Sequence, residues 1–434
     1  MSETKQVSIW RNFGPLIILV MGGSFIYSLP YFHYYYYEPF LAAFGINNTQ
    51  MGNLHSAYGV LTICCYFIGG WLADRVSARK LISFSLISTG LLGLWLYTVP
   101  SYYITMLIHA LWGITTILSF WPAMIKAVRM LAAANEQGKA FGFMESGRGI
   151  FNAAYMAAGL YFFNLINIRN SDETNISGML AVIMTYSVAC IVVGLITFFI
   201  LKDNAREVSE KGATWADIAK VLKMPHTWMI IIIMFCSYSM LMSFYLINPF
   251  ASQVYGVSVV FATALTIMAN WVRPIGAASA GLLGDIMNSS KVIGIGFVMM
   301  IFGLLGLIFL PAGESAIVLL IIFSVFIYFS MYAIQGLHYA LLEEGDYPVS
   351  MSGITVGVVA TLGYLPEVVA PQISGRLLDA YPGADGYRYF FMVLVAFALV
   401  GLATVFVWLR TTKEKRAAIL AMKKQNKAAE EQAA

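Results

Sequence analysis

The sequence predicts an all-α membrane protein with twelve transmembrane helices in two pseudo-symmetric six-helix bundles. Three observations predict it. Hydrophobic residues make up 59% of the 434 residues and charged residues 11%, with a mean hydropathy of +0.75, whereas a soluble domain carries about 25% charged residues. Apolar runs near the ~20 residues that a helix needs to cross a bilayer recur along the whole chain. Landmarks in the first half return in the second half in the same order.

The first 12 residues are mostly polar, and the apolar run that follows is too long for a signal peptide. The expected spans are 13–37, 51–73, 81–99, 103–124, 139–165 and 178–201, then 227–248, 259–283, 292–310, 315–340, 351–377 and 387–409. Turn residues break them, as in Gly45-Ile46-Asn47-Asn48, Pro100-Ser101 and Pro311-Ala312-Gly313. Unpaired backbone groups are not tolerated in lipid, so the runs must be helices. The expected domains are 1–201, a linker 202–225, 226–410 and a tail 411–434. In the linker, Trp215 to Leu222 has helical periodicity and fits a short helix on the membrane surface. The tail is helix-prone and reads as a solvated end.

Basic residues orient the chain. With the N-terminus inside, Lys5, Arg11, Arg75, Arg79, Lys80, Lys126, Arg129, Lys139, Lys202 to Lys223, Lys291 and Arg410 to Lys427 are all cytoplasmic. Only Arg169, Arg376 and Arg388 fall at the outer ends. Both termini are therefore expected in the cytoplasm of a plasma (bacterial inner) membrane protein. The net charge of +4 follows from this loop pattern and does not call for nucleic acid. Cys64, Cys65, Cys190 and Cys236 lie in apolar runs without metal-site spacing and read as small core residues. No P-loop, Rossmann glycines, HExxH or nucleophile elbow occurs, so neither an enzyme, a cofactor nor a metal is expected.

Gly70-Trp-Leu-Ala-Asp74 with Lys80 is matched by Gly281-Leu-Leu-Gly-Asp285 with Lys291, and Glu38-Pro-Phe40 with Gly45 is matched by Asn248-Pro-Phe250 with Gly256. Matched landmarks imply a duplication into parallel six-helix repeats. The stretch Gly70-x-Leu72-x-Asp74-Arg75-x-x-x-Arg79-Lys80 resembles the signature loop of the major facilitator superfamily (MFS), departing at Ser77 and Ala78, where glycine and arginine are usual. The resemblance implies an alternating-access transporter in which Asp74, Arg75, Arg79 and Asp285 latch one conformation.

The stretch from Phe120-Trp-Pro-Ala to Arg129, followed by Gln137-Gly-Lys-Ala-Phe-Gly142, is similar to bacterial organophosphate-antiporter-like and organic-anion carriers. Phosphate-ester carriers of that group place arginines in helices 1 and 7. Here helix 7 has no basic residue and Arg11 precedes helix 1, so that arrangement is not expected. Two other arginines lie inside spans. Arg148 and Arg273 are each about 15 Å from the expected cytoplasmic ends, at 1.5 Å per residue, near half the hydrocarbon thickness. A buried membrane cation usually faces a cavity. Two arginines at one depth suit a carboxylate, sulfonate or phosphonate. The structural alternative pairs Arg148 with Glu145 and Arg273 with a carbonyl beside Pro274.

Glu367, after Pro366, is a candidate proton carrier or gate, and Glu145 a helper of Arg148. Glu38 reads as a solvated rim residue. His33 and His55 lie near the outer face and are candidate titrating groups, with packing the commoner role for such histidines. His109 and His338 read as packing residues, and His226 falls in the central loop. The MFS resemblance makes helices 1, 4, 7 and 10 cavity-lining, which nominates Tyr27, Tyr31, Tyr238 and Tyr332.

The expected function is secondary transport of a small organic anion, coupled to protons or to counter-substrate, by a monomer among membrane lipids. The alternatives are a drug or lipid exporter with a greasy cavity and a non-transporting membrane sensor signalling through the linker.

Overall fold

A computed structural model describes residues 13–131, 137–201, 215–347 and 352–422. The side chains of Asp74 and Glu145 lie outside the described residues. The chain forms two compact units: unit 1, Met1–Gly212 with Val257–Trp271, and unit 2, Ala213–Gly256 with Val272–Ala434.

In unit 1 the elements are α1 (Phe13–Phe25), α2 (Phe32–Tyr35), α3 (Tyr37–Phe44), α4 (Asn48–Arg75) and α5 (Ala78–Tyr97). They continue with α6 (Tyr102–Gly113), a π-helical turn (Ile114–Leu118), α7 (Trp121–Leu131), α8 (Gln137–Asn170) and α9 (Ile176–Ile200). The linker helix α10 (Trp215–Leu222) precedes α11 (Pro225–Ser243), α12 (Ile247–Tyr255), α13 (Val259–Met287) and α14 (Ser289–Phe309). The chain ends with α15 (Ile317–Leu337), α16 (Leu341–Glu344), α17 (Ser352–Gly363), α18 (Pro366–Ala380) and α19 (Ala384–Thr411).

Among the described residues, ten helices are long and apolar enough to cross a membrane. The 28-residue α4 and the segmented helix from α1 to α3 make the other two spans of the twelve-helix fold. Local sequence explains the starts. Asn47 and Gln50 form a reciprocal capping box ahead of α4, with Gln50 N donating to Asn47 Oδ1 at 2.8 Å. Ser77, which departs from the usual signature, accepts from Lys80 N and caps α5.

Several spans expected as continuous are segmented. The first stops at Phe25, passes through turns over residues 26–31 and restarts twice. Span 7 tightens to a 3-10 turn at Phe244–Leu246 before α12, and span 11 breaks between Gly363 and Pro366. The breaks carry a repeat signature. α3 ends at Gly45 with φ +59°, and α12 ends at Gly256 with φ +66°. Only glycine adopts that left-handed C-terminal position without strain.

Apolar side chains cover the outer surface as well as filling the core. Phe199 and Phe309 face outward at 80% and 78% exposure, while His33, His55, His109, Thr116 and Glu344 are buried. Helix contacts rely on small residues. A Cβ on Gly90 would lie 2.5 Å from the Ser187 carbonyl oxygen, so α5 and α9 pack backbone to backbone. The tail is helical over 413–422 and mostly exposed, as expected of a helix-prone, solvated segment, but Arg416 and Ile419 are buried. Arg416 is 7% exposed and donates to the Leu409 carbonyl and the Thr412 hydroxyl. His226, expected in the central loop, opens α11 with its ring 5.2 Å from that of Trp408.

Candidate functional site

In unit 1 the site forms where the first span breaks. A helix that stops at Phe25 leaves the carbonyls of its last turn needing donors. Arg148, in α8 and 9% exposed, meets one of them. Its Nε donates to the Gly23 carbonyl at 3.0 Å. In return, the Ser24 hydroxyl bonds both the Val20 and Arg148 carbonyls, at 2.8 and 3.2 Å. The guanidinium carbon lies 5.0 Å from the Trp121 ring centroid and 5.9 Å from that of Tyr27. Both distances suit cation–π attraction. From Tyr27, ring contacts continue to Tyr31 at 6.5 Å, and from Tyr31 to His55 at 5.0 Å and Tyr58 at 5.6 Å.

In unit 2, Arg273 is half-buried in α13 with its guanidinium carbon 5.6 Å from the Tyr332 ring. Glu367 is 2% exposed. Pro366 starts α18 because it needs no amide partner in the first turn and presets φ. Glu367 is therefore held at the positive end of a half-helix. Its carboxylate accepts from the Tyr238 hydroxyl at 2.5 Å. Tyr238 packs on Tyr364 at 4.5 Å, and the Tyr364 hydroxyl pairs with that of Tyr339 at 3.1 Å.

The structure thus brings Arg148 to Tyr27, Tyr27 to Tyr31, Arg273 to Tyr332 and Glu367 to Tyr238. In the signature region, Arg75 is exposed in the last turn of α4. The Arg79 guanidinium lies over the Phe198 ring at 5.1 Å. Lys126 donates to the Ala73 carbonyl at 2.7 Å, favourably placed at the helix C-terminus. Asp285 is exposed near the end of α13.

Sequence reasoning missed two groupings. Glu344, 4% exposed, accepts from Ser290 N and Trp408 Nε1, each at 3.0 Å. His33, His55 and His109, from α2, α4 and α6, form one buried cluster. Their nearly matched depth in the first, second and fourth spans was the available signal.

Residues 16–371 match the Major Facilitator Superfamily. The chain belongs to this superfamily. Over 424 residues it is 31% identical to the inner membrane protein YqcE of Escherichia coli (strain K12), covering 95% of this chain and 97% of that protein. It is 28% identical over 413 residues to the inner membrane protein YihN of the same organism, covering 93% and 97%. In fold it is similar to a bacterial homologue of the human lysosomal transporter Spinster, inward-facing and unoccupied. That comparison gives a TM-score of 0.77 at 16% identity, over 96% of this chain and 99% of that one. The nucleoside transporter NupG gives 0.70 at 13% identity, over 91% and 98%. This MFS protein is a multi-pass membrane transport protein, not an enzyme.

Proposed function

We propose that the chain is a secondary transporter of the inner membrane that moves a small organic anion by alternating access, with both termini cytoplasmic. The observation that carries this reading is Arg148. A guanidinium 9% exposed inside a membrane helix is costly to keep, and here it is oriented rather than loose. Its Nε is fixed on the Gly23 carbonyl and its faces lie against Trp121 and Tyr27. A guanidinium held in this way suits the paired oxygens of a carboxylate, sulfonate or phosphonate. Arg273 beside Tyr332 supplies a second arginine–tyrosine pair in unit 2. Coupling to protons or to counter-substrate completes the cycle.

The test is binding of glucuronate, isethionate and methylphosphonate to purified wild type, Arg148→Ala, Arg148→Lys and Arg273→Ala, set beside their melting temperatures. Loss of one charged hydrogen bond predicts roughly ten- to a hundred-fold weaker affinity in each folded alanine variant. Lysine should rescue poorly because it lacks the planar fork. Unchanged affinity in both alanine variants would end the anion reading and favour a lipophilic cavity.

A further inference from the structure

We infer that His33, His55 and His109 form a buried proton-binding site in unit 1 that holds one proton, centred on His33. All three are 0% exposed. His33 is in the middle, with ring centroids 5.3 Å from His55 and 5.2 Å from His109. Centroids about 5 Å apart leave roughly one hydrogen-bond length between facing ring edges.

The tautomers favour a shared proton. His109 Nδ1 lies 2.8 Å from the Thr105 carbonyl, which only accepts. Nδ1 therefore carries the hydrogen, and Nε2 presents a lone pair. Among the described residues neither that Nε2 nor either nitrogen of His33 has a hydrogen-bond partner. Leaving buried polar atoms so is unfavourable. Adding one proton to His33 turns both of its nitrogens into donors, one for the His109 lone pair and one for the His55 side. The Tyr34 ring, 4.2 Å from that of His33, adds cation–π attraction. A second proton is opposed by the first. The described residues contain no histidine, cysteine or carboxylate group arranged to hold a metal ion.

Other titratable groups border the cluster. Tyr31 and Tyr34 from the broken span and Tyr58 from α4 ring His55. Glu38, in the first turn of α3, is the next acid along the chain after His33. Within unit 1 a run of contacts joins this cluster to the arginine, from His33 through His55, Tyr31 and Tyr27 to Arg148. On the reading of the chain as a secondary transporter, the proton is the coupling ion, and its arrival repositions the break that presents Gly23 to Arg148.

The experiment uses the full chain in nanodiscs with ring-15N histidine, titrated from about pH 8 to about pH 5, around the ordinary imidazole value. No substrate is needed. The chain has five histidines, and His226 and His338 provide reference signals. One cluster imidazole should become doubly protonated while the other two stay neutral, and His33→Gln should abolish that signal. A folded wild type whose cluster stays neutral throughout, or whose three rings titrate independently, overturns the site. Coupling is read separately in proteoliposomes, as isethionate uptake driven by an inward proton gradient. His33→Gln should lose driven uptake but keep isethionate exchange. Equal driven uptake by the two proteins overturns the coupling role. Absence of any flux with an intact imidazole titration sinks the transporter reading and leaves the proton site standing.

Discussion

The Nε of Arg148 donates to the carbonyl of Gly23 at 3.0 Å, and Gly23 has no room for a side chain on that side. A Cβ there would lie 2.9 Å from Arg148 Cδ, Arg148 Nε and Met124 Sδ. The glycine and the arginine are thus one device. The arginine takes a carbonyl at close range, and a Cβ at that position would press on its side chain and on Met124.

Gly23→Ala should therefore displace the guanidinium without removing it. Overpacking costs typically 1–3 kcal/mol, so melting should fall measurably while the protein stays folded. Isethionate affinity should fall in the direction of Arg148→Ala. A variant that melts lower but binds isethionate as tightly as wild type would separate the packing from the anion site.

How much of this was legible follows from the range over which each signal acts. Arg148, Arg273 and Glu367 stand out because a charge inside an apolar run needs no partner to be noticed. The landmarks around Gly45 and Gly256 were equally visible, since a left-handed cap is a local requirement. The break after Phe25 is easily passed over although Pro30 offers a breaker signal, because the run 13–37 reads as one span. The pairing of Arg148 with Gly23 was hidden for another reason. It joins positions far apart in sequence, and its sign is the smallness of a glycine among many. The histidine cluster depends on the rotation of three spans about their axes, which no single run encodes.

The Glu367–Tyr238 hydrogen bond predicts coupled stability. A bond to a charged group contributes about 1.5–3 kcal/mol. A double-mutant cycle on Glu367→Gln and Tyr238→Phe should return an interaction energy of that order, since residues in direct contact do not add. Additive melting shifts would show that the bond contributes nothing. Glu367→Gln should also leave isethionate exchange intact while lowering flux driven by a pH gradient.

The proposed orientation makes a labelling prediction. Glu414 and Glu173 are both exposed. In a cysteine-free background, Glu173→Cys should react with a membrane-impermeant maleimide on intact cells, and Glu414→Cys only after permeabilisation. The reverse pattern would invert the topology.

Asp172, in the loop between α8 and α9, gives a pH dependence outside the membrane. The Thr174 hydroxyl first, and then Ser177, bond its carboxylate and hold its pKa far below the ordinary 3.8. A lowered folded-state pKa means stability that is present above the ordinary value and lost as pH falls through the folded one. The melting difference between wild type and Asp172→Asn should thus be full near neutrality and shrink as pH falls below about 4. A difference that does not change with pH would mean that the charge is irrelevant to the loop.

Glu344 joins three helices of unit 2, and its removal should be the most damaging of these changes to stability. Ser290 lies in the first turn of α14, where amides have no helical acceptor. Asn288, just before that helix, has φ +82° and no side-chain cap bond. Glu344 supplies the missing acceptor from α16, and its second oxygen takes the Trp408 indole hydrogen of α19. Two donors on one carboxylate explain how it stays 4% exposed, and the helix N-terminus favours its negative charge. Glu344→Gln keeps one acceptor but turns an amide donor towards the other donor, so roughly 1.5–3 kcal/mol should be lost. Glu344→Ala strands both donors and should cost more. Trp408→Phe removes one donor and should soften the effect of Glu344→Gln. Melting temperatures of the single and double variants decide it. Full additivity between Glu344→Gln and Trp408→Phe would show that the carboxylate does not tie α19 to the start of α14.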